Sequence, residues 1–322
     1  MQTSSQIQVD QTQLGALENG CGLVFWDSAT IVRHSGPDAL DLLHRLTTKE
    51  LLSVTEGRSR RTVLTSARGR VVDVFLVAHV FADRLLLISD SDNPERMISA
   101  IDRYTIIEDA ELTDLSGSNA RISLIGPRAV KVVESVLGEV VGSDASVTAE
   151  FDSESLTIVS DTSRGVEWLD AICPVDVARD LAAAFESAGA VAVDPDNFEL
   201  FRITRGIPGS DREYGEHANP IESGLFDLID FDKGCYVGQE VIARLDTYDK
   251  VKRNLRVLEC DEPMEAGTTL QLPVDSKSAG IITSASPLMT EDGVYLAFGL
   301  VRKAFLATGT VLASGGIAVR VR

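Results

Sequence analysis

The sequence predicts an α+β protein in which repeated α+β subdomains with antiparallel sheets precede a small C-terminal β-barrel. Three observations lead there. A strand, a Gly-Pro pair and an amphipathic helix occur in that order around Gly36 and again around Gly126, 90 residues later. A third strand-to-helix unit follows, with a strand over 168–173, Pro174, and an Ala-rich helix over 176–188. From about Arg256, helical periodicity gives way to short apolar runs separated by Gly, Pro and Asp turns, the texture of a small barrel or jelly roll.

Each element has its own signal. Residues 24–26 and 31–32 read as short strands, and Pro37-Asp38 opens a helix of about three turns on Ala39, Leu40, Leu43 and Leu46. Strands over 61–66 and 71–81 flank Ala67-Arg68-Gly69-Arg70, a hairpin turn built on Gly69. A strand over 85–89 comes next, and Asn93-Pro94 starts a helix running to about Tyr104. In the C-terminal part, strands fall at 256–259, 268–272, 280–284, 295–301 and 317–321. At roughly 100–200 residues per domain, 322 residues suggest about two. The change of texture divides them into 1–250 and 251–322, with the boundary between Tyr248 and Arg256.

Composition narrows the function. With 44% hydrophobic and 25% charged residues the chain can build a core without disulfides or metal. Thirty Lys and Arg against 49 Asp and Glu leave a net charge of −19, which phosphate backbones repel, so no duplex DNA is expected as a partner. The four cysteines (21, 173, 235, 260) form no C-x-x-C pair, and the four histidines lack metal-ligand spacing, so no metal site is expected. The first 13 residues have neither a basic region nor an apolar run, and the most apolar stretch, 71–82, is too short to span a bilayer. A cytoplasmic protein that does not enter the membrane is expected.

The chemistry concentrates in 201–253. This stretch carries Gly206, Gly209, Gly215, Gly224, Gly234 and Gly238, so its backbone turns often and can approach a ligand closely. Asp232-Lys233-Gly234-Cys235-Tyr236-Val237-Gly238-Gln239-Glu240 places an ammonium, a thiol, an amide and a carboxylate together. A nearby cation favours thiolate, while an isolated cysteine beside glycine is by itself read first as a small packed residue. Asp73, inside a run of valines, is either a buried charge with a use or a residue on a wet strand face.

The segment from Lys233 to Glu240, followed by Ala243-Arg244, resembles the signature of the YgfZ-type tetrahydrofolate-binding proteins. These are relatives of the glycine-cleavage aminomethyltransferase (T-protein) and of a mitochondrial iron–sulfur assembly factor. Gly36-Pro37-Asp38-Ala39 with Leu46-Thr47-Thr48, the Gly69–Asp73 hairpin, Arg202 with Gly206-Ile207-Pro208, Asn219 to Leu225 and Gly280 to Ser284 fall in that family's order. The likeness runs from about Leu23 to Val321. It implies a cloverleaf of domains around a central cavity that holds tetrahydrofolate. It also implies candidate roles: Asp73 as the acid beside the folate's reactive nitrogens, Cys235 as a functional thiol, Lys233 as a cation for a folate carboxylate, and Arg202, Thr204 and Glu222 as pocket residues. Two positions depart from the aminomethyltransferase pattern. Val74 replaces the second acid of a pair, and Thr204 stands where a glutamate holds the pterin, a bidentate role that a hydroxyl cannot fill. Asp211, Glu213 and Glu222 are candidates to compensate.

The resemblance implies a folate-binding accessory protein for iron–sulfur assembly or repair, whose partners are client or assembly proteins, including tRNA-modifying enzymes. The alternative is a tetrahydrofolate-dependent aminomethyl or one-carbon transferase; a scaffold without chemistry is a third reading. Two basic clusters, Arg58/Arg60/Arg61/Arg68/Arg70 and Arg244/Lys250/Lys252/Arg253, are either solvated faces or a rim for an anionic group.

Overall fold

The two Gly-Pro pairs mark the starts of two copies of one topology. In this computed structural model, which describes residues 9–81, 83–273 and 277–322, residues 1–8 of the polar start lie outside the described part. Helix α1 (Gln11–Asn19) and strand β1 (Gly22–Phe25) come first. The first copy then runs β2 (Thr30–Ser35), α2 (Ala39–Leu46), β3 (Arg58–Thr65), β4 (Val71–Phe81), β5 (Arg84–Ser89), α3 (Pro94–Asp102) and β6 (Glu111–Asp114). The second runs β7 (Asn119–Ile125), α4 (Ala129–Leu137), β8 (Ser146–Phe151), β9 (Glu154–Ser160), β10 (Trp168–Pro174), α5 (Ala178–Ser187) and β11 (Val191–Ala192). Strand order is β3-β4-β5-β2-β6 in one sheet and β8-β9-β10-β7-β1-β11 in the other. The orders match position for position, except that β1 inserts between β7 and β11, antiparallel to the first and parallel to the second.

Glycine is required at both pair positions. Gly36 has φ +118° and Gly126 φ +116°. A Cβ would lie 2.2 Å from the Asp109 carbonyl oxygen in the first case and 2.7 Å from that of Gly20 in the second. Pro37 precedes α2 by two residues, and α2 makes two turns, not three, because its C-terminal end is stopped at Thr47. Asp38 does not cap the helix; its carboxylate accepts from the Asp109 backbone N–H at 2.8 Å.

Each sheet carries its helices on the outer face. Leu42, Leu43, Met97 and Ile101 of α2 and α3 pack on Phe75, Val77 and Leu87. Val132, Val133, Leu181 and Phe185 of α4 and α5 pack on Leu124, Ile158 and Leu169. The inner faces meet through Ile31, Leu76, Ala78 and Ile88 against Val159 and Ile172.

Beside that apolar contact lies a buried network of three arginines and three aspartates. Asp90 accepts from Arg61 (2.6 Å), Arg121 (2.8 Å) and Arg164 (2.8 Å). Asp161 takes Arg61 and Arg164, and Asp170 takes Arg121 through both Nε and Nη2. Arg61 and Asp90 belong to the first copy and the other four to the second, so the network joins the copies. Burial opposes charge on Asp90, but Arg164, Arg61 and Arg121 outweigh it and hold the carboxyl well below the usual range.

After α6 (Pro195–Thr204) the chain crosses a turn-rich segment to α7 (Gln239–Thr247) and enters the barrel. Its strands are β12 (Arg253–Cys260), β13 (Thr269–Gln271), β14 (Ser278–Met289), β15 (Tyr295–Arg302), β16 (Val311–Ser314) and β17 (Ile317–Val321). They close in the order β12-β15-β14-β13-β16-β17, with β17 returning to β12. The strand missing from the sequence reading, Val311–Ser314, is the one that completes the closure. Leu200 and Ile203 of α6 seat against Leu288, Leu296 and Phe298 and fix the barrel to the rest of the chain. Among the described residues no helix is long and apolar enough to cross a membrane.

Candidate functional site

Where the two copies and the segment after α6 meet, a cavity of about 240 Å³ opens. Arg61, Arg164, Ile207, Tyr214, Leu225 and Leu228 contribute to its walls. Gly206 and Gly224 line it too, and they also line a neighbouring opening against the barrel that contains Thr204. Thr204 thus lines the second opening and not the cavity itself. Its hydroxyl donates to the Leu200 carbonyl at 2.8 Å, a bond within α6.

Asp73 is fully buried on β4, one residue past an irregularity in its pairing with β3. Such irregularities re-aim the side chains beside them. The Asp73 Oδ1 accepts from the Val74 N–H at 2.7 Å and from Ser89 Oγ at 2.6 Å, whereas Oδ2 has no partner. Burial raises its pKa to about 6 against the pull of Ser89, Arg96 and Val74. Among the other buried polar atoms without a partner are the Tyr214 hydroxyl and Arg96 Nε. Both side chains feel the charge of Asp73. The Tyr214 ring packs with Val63, Val71 and Val74, so it stands between the Asp73 strand and the cavity. Buried polar atoms are almost always paired, and these three are orphans within one electrostatic neighbourhood.

The remaining candidates are occupied elsewhere. Arg202 uses all five N–H donors internally: Nε and Nη2 on Glu199, Nη1 on Glu213 and the Ile207 carbonyl, and Nη2 again on Ser284 Oγ. It clamps α6 to β14 and keeps no hydrogen for a ligand. Lys233 sends its ammonium to three carbonyls, those of His44 (2.6 Å), Thr47 (2.7 Å) and Lys49 (2.8 Å), at the C-terminal end of α2. Its three donors are spent, so it acts here as a helix stop, not as a free cation. Glu222 is buried, with Arg70 at 3.5 Å and Arg253 at 3.6 Å. Of the other acids considered, Glu213 is held by Arg202, Gly209 N–H and Ser284, and Asp211 by Arg96. None of these stands free beside Thr204.

Cys235 is exposed. Its loop is fastened on both sides: by Lys233 before it, by the Val237 N–H to the Arg45 carbonyl after it, and by Thr65 Oγ1 to the Val237 carbonyl. Gly238, at φ +87°, lies so close to the hairpin that a Cβ would be 2.5 Å from the Ser66 carbonyl oxygen. The structure does not bring Cys235 into the cavity beside Tyr214. Cys21, Cys173 and Cys260 are buried, and burial pushes the Cys21 thiol up to about 12.

A family profile described as the GCVT N-terminal domain matches residues 5–158. The crystal structure of the glycine cleavage system aminomethyltransferase T from Bartonella henselae superposes with a TM-score of 0.83 at 19% identity, over 97% of this chain and 87% of that one. The fold is aminomethyltransferase-like. An aminomethyltransferase of Cutibacterium acnes is 25% identical over 292 residues, 85% of this chain and 78% of that protein. A chloroplastic protein of Arabidopsis thaliana with a provisional transferase name is 28% identical over 310 residues, 95% of this chain and 71% of its own length.

Several features of this chain escaped the sequence reading. Arg121 and Asp170 are single charges inside apolar strands, the same signal that singled out Asp73, and their strands pair with each other. Tyr214 and Arg96 gave no signal, because each looks ordinary until the fold sets it near Asp73. The first basic cluster is dispersed. Arg61 is in the buried network, Arg60 bonds the Glu50 carbonyl, and Arg68 and Arg70 remain at the hairpin.

Proposed function

We propose that the chain binds tetrahydrofolate in the cavity between its two copies and serves iron–sulfur assembly or repair, with Cys235 as its working thiol. The carrying observation is the buried Asp73 carboxylate with one oxygen unpartnered; it lies behind Tyr214 and outside the cavity's own lining, so a ligand edge reaches it only where Tyr214 gives way. A reduced pterin presents several N–H donors along its edge, and an acceptor held at depth suits that edge. Ser89 and the Val74 N–H orient the carboxylate. Arg61 and Arg164, fixed by Asp90 and Asp161, give the wall a rigid form without free charge. Bound tetrahydrofolate would supply a one-carbon carrier. Among the described residues no three groups are placed to hold a metal, so an iron–sulfur species meeting Cys235 draws its other ligands from a partner protein. All four cysteines are free, which suits the cytoplasm. Client or assembly proteins, including tRNA-modifying enzymes, are the partners of this reading.

The retained Asp73 and the aminomethyltransferase relatives favour a second reading, one-carbon transfer on the folate. Calorimetric titration with tetrahydrofolate is the test. Saturable binding weakened roughly 10- to 100-fold in Asp73→Asn is expected, the worth of a hydrogen bond to a charged group. Cys235→Ala should bind folate as wild type does yet fail to support an iron–sulfur enzyme. Glycine-cleavage turnover with the lipoyl carrier protein, undiminished in Cys235→Ala, would favour the transferase.

A further inference from the structure

Between the Gly69 hairpin and α3, a cleft of about 710 Å³ is lined by four arginines, Arg68, Arg70, Arg96 and Arg103, with Glu216 as the one carboxylate in its lining. The sequence builds this concavity simply. Arg96 lies in the first turn of α3 and Arg103 is the residue that caps its C-terminal end, about two turns on; Ser99 and Ala100, between them in the cleft lining, are small. Opposite, Thr65-Ser66-Ala67 of the hairpin are small too, and Arg68 and Arg70 follow. The hairpin is rigid: Gly69 N–H bonds the Ser66 carbonyl at 2.8 Å, and Gly69 sits against Val241 and Ile242 of α7.

The charge of this cleft is neutralised only in part, through Arg70–Glu222 and Arg96–Asp211. The chain has 49 acids against 30 Lys and Arg, yet among the described residues neither Arg68 nor Arg103 makes an ion pair. Arg70 reaches only the His217 carbonyl at 3.4 Å and Glu222 at 3.5 Å. Arg96 is tied through Nη1 to Asp211 and through Nη2 to Ser91 and Ser210, but its buried Nε has no acceptor. Like charges gathered in one cleft repel unless an anion joins them. The inner wall includes Leu64 and Val72, the residues paired with and preceding Asp73. The cleft therefore ends beside Asp73, and its lining shares no residue with the cavity between the copies.

We propose that this cleft binds a flexible multivalent anion, a chain bearing several carboxylates or phosphates. The carboxylate source is a γ-glutamyl tail on the folate proposed at Asp73, and that version rests on the folate reading; the phosphate source does not. The test is calorimetry on the full chain at low salt with tri-γ-glutamate, tripolyphosphate, and mono- and triglutamyl tetrahydrofolate. The variant is Arg68→Gln/Arg103→Gln, whose exposed side chains have no partner to lose. The expected result is salt-sensitive binding of triglutamyl folate and of tri-γ-glutamate, weakened roughly ten-fold or more in the variant with monoglutamyl folate unaffected. Binding of tripolyphosphate but not tri-γ-glutamate, lost in the variant, supports the site with a phosphate-bearing ligand. If the free anions bind and neither folate does, the cleft stands and the folate reading falls. Failure of both anions to bind, or equal binding by the variant, overturns the proposal.

Discussion

Asp73 and His34 are both fully buried, and they tilt stability in opposite directions with pH. His34, on β2, has neither ring nitrogen partnered, and burial lowers its pKa from 6.5 to about 4. Between those values the unfolded chain takes up a proton that the folded chain refuses, so this term weakens as pH falls. Asp73 is raised from 3.8 to about 6. Between those values the folded chain keeps a proton that the unfolded chain has released, so this term weakens as pH rises and the full penalty is present above the folded value. In wild type the two slopes largely offset each other. Asp73→Asn is expected to be more stable than wild type by about 1–3 kcal/mol at pH 7.5, the range allowing for an amide with an unmet partner. The gain should close towards pH 4, and the variant's urea midpoint should climb steadily from pH 4 to 6.5. A variant profile parallel to wild type would remove the case for an ionised, poorly solvated Asp73. The sequence disclosed Asp73 because an acid among valines is locally anomalous, whereas His34 is unremarkable in TIVRHS until its neighbours are known.

Among the elements, those with strong local grammar were readable and those defined by partners were not. The long β4, the Gly69 hairpin and the helices after Gly-Pro carry their signals within a few residues. The β8–β9 hairpin turns at Asp152-Ser153, both at positive φ without glycine, so its usual marker is missing. Helix α6 buries Asn197 and Arg202, which masks its apolar stripe. Lys233 shows the same limit at the site. Read alone it suggests a cation for a ligand, but three converging carbonyls suit a compact ammonium better than the flat fork of arginine. Burial lowers its pKa to about 8. Lys233→Met removes three hydrogen bonds that join the Cys235 loop to α2. We expect amide exchange over 231–238 to quicken about ten-fold or more, with the barrel strands unchanged, and Lys233→Arg not to restore protection. Unchanged protection in Lys233→Met would mean that Val237 and Gly238 alone hold the loop.

At the scale of the whole molecule, the duplication was visible and the device that joins its copies was not. Gly36 and Gly126 could be matched by eye, but six charges drawn from separate segments come together only when the sheets face each other. Asp90 is central because all three arginines donate to it. A buried cluster of this kind adds little net stability over an apolar contact, but removing one member leaves charge without compensation. Asp90→Ala leaves three arginines facing two aspartates and should cost about 3–5 kcal/mol. The chain reports on this itself, since its two tryptophans stand at the network. The Arg121 guanidinium lies 4.7 Å from the Trp26 ring centroid and that of Arg164 lies 4.1 Å from Trp168. Denaturant unfolding followed by tryptophan fluorescence should therefore show a lowered midpoint in Asp90→Ala and an altered native emission before any unfolding. Asp90→Asn, which keeps one acceptor oxygen but not the charge, should fall between the two. If Asp90→Ala unfolds at the wild-type midpoint with unchanged emission, the copies are joined by the Ile31–Ile88 contact against Val159 and Ile172, and the ionic network is dispensable.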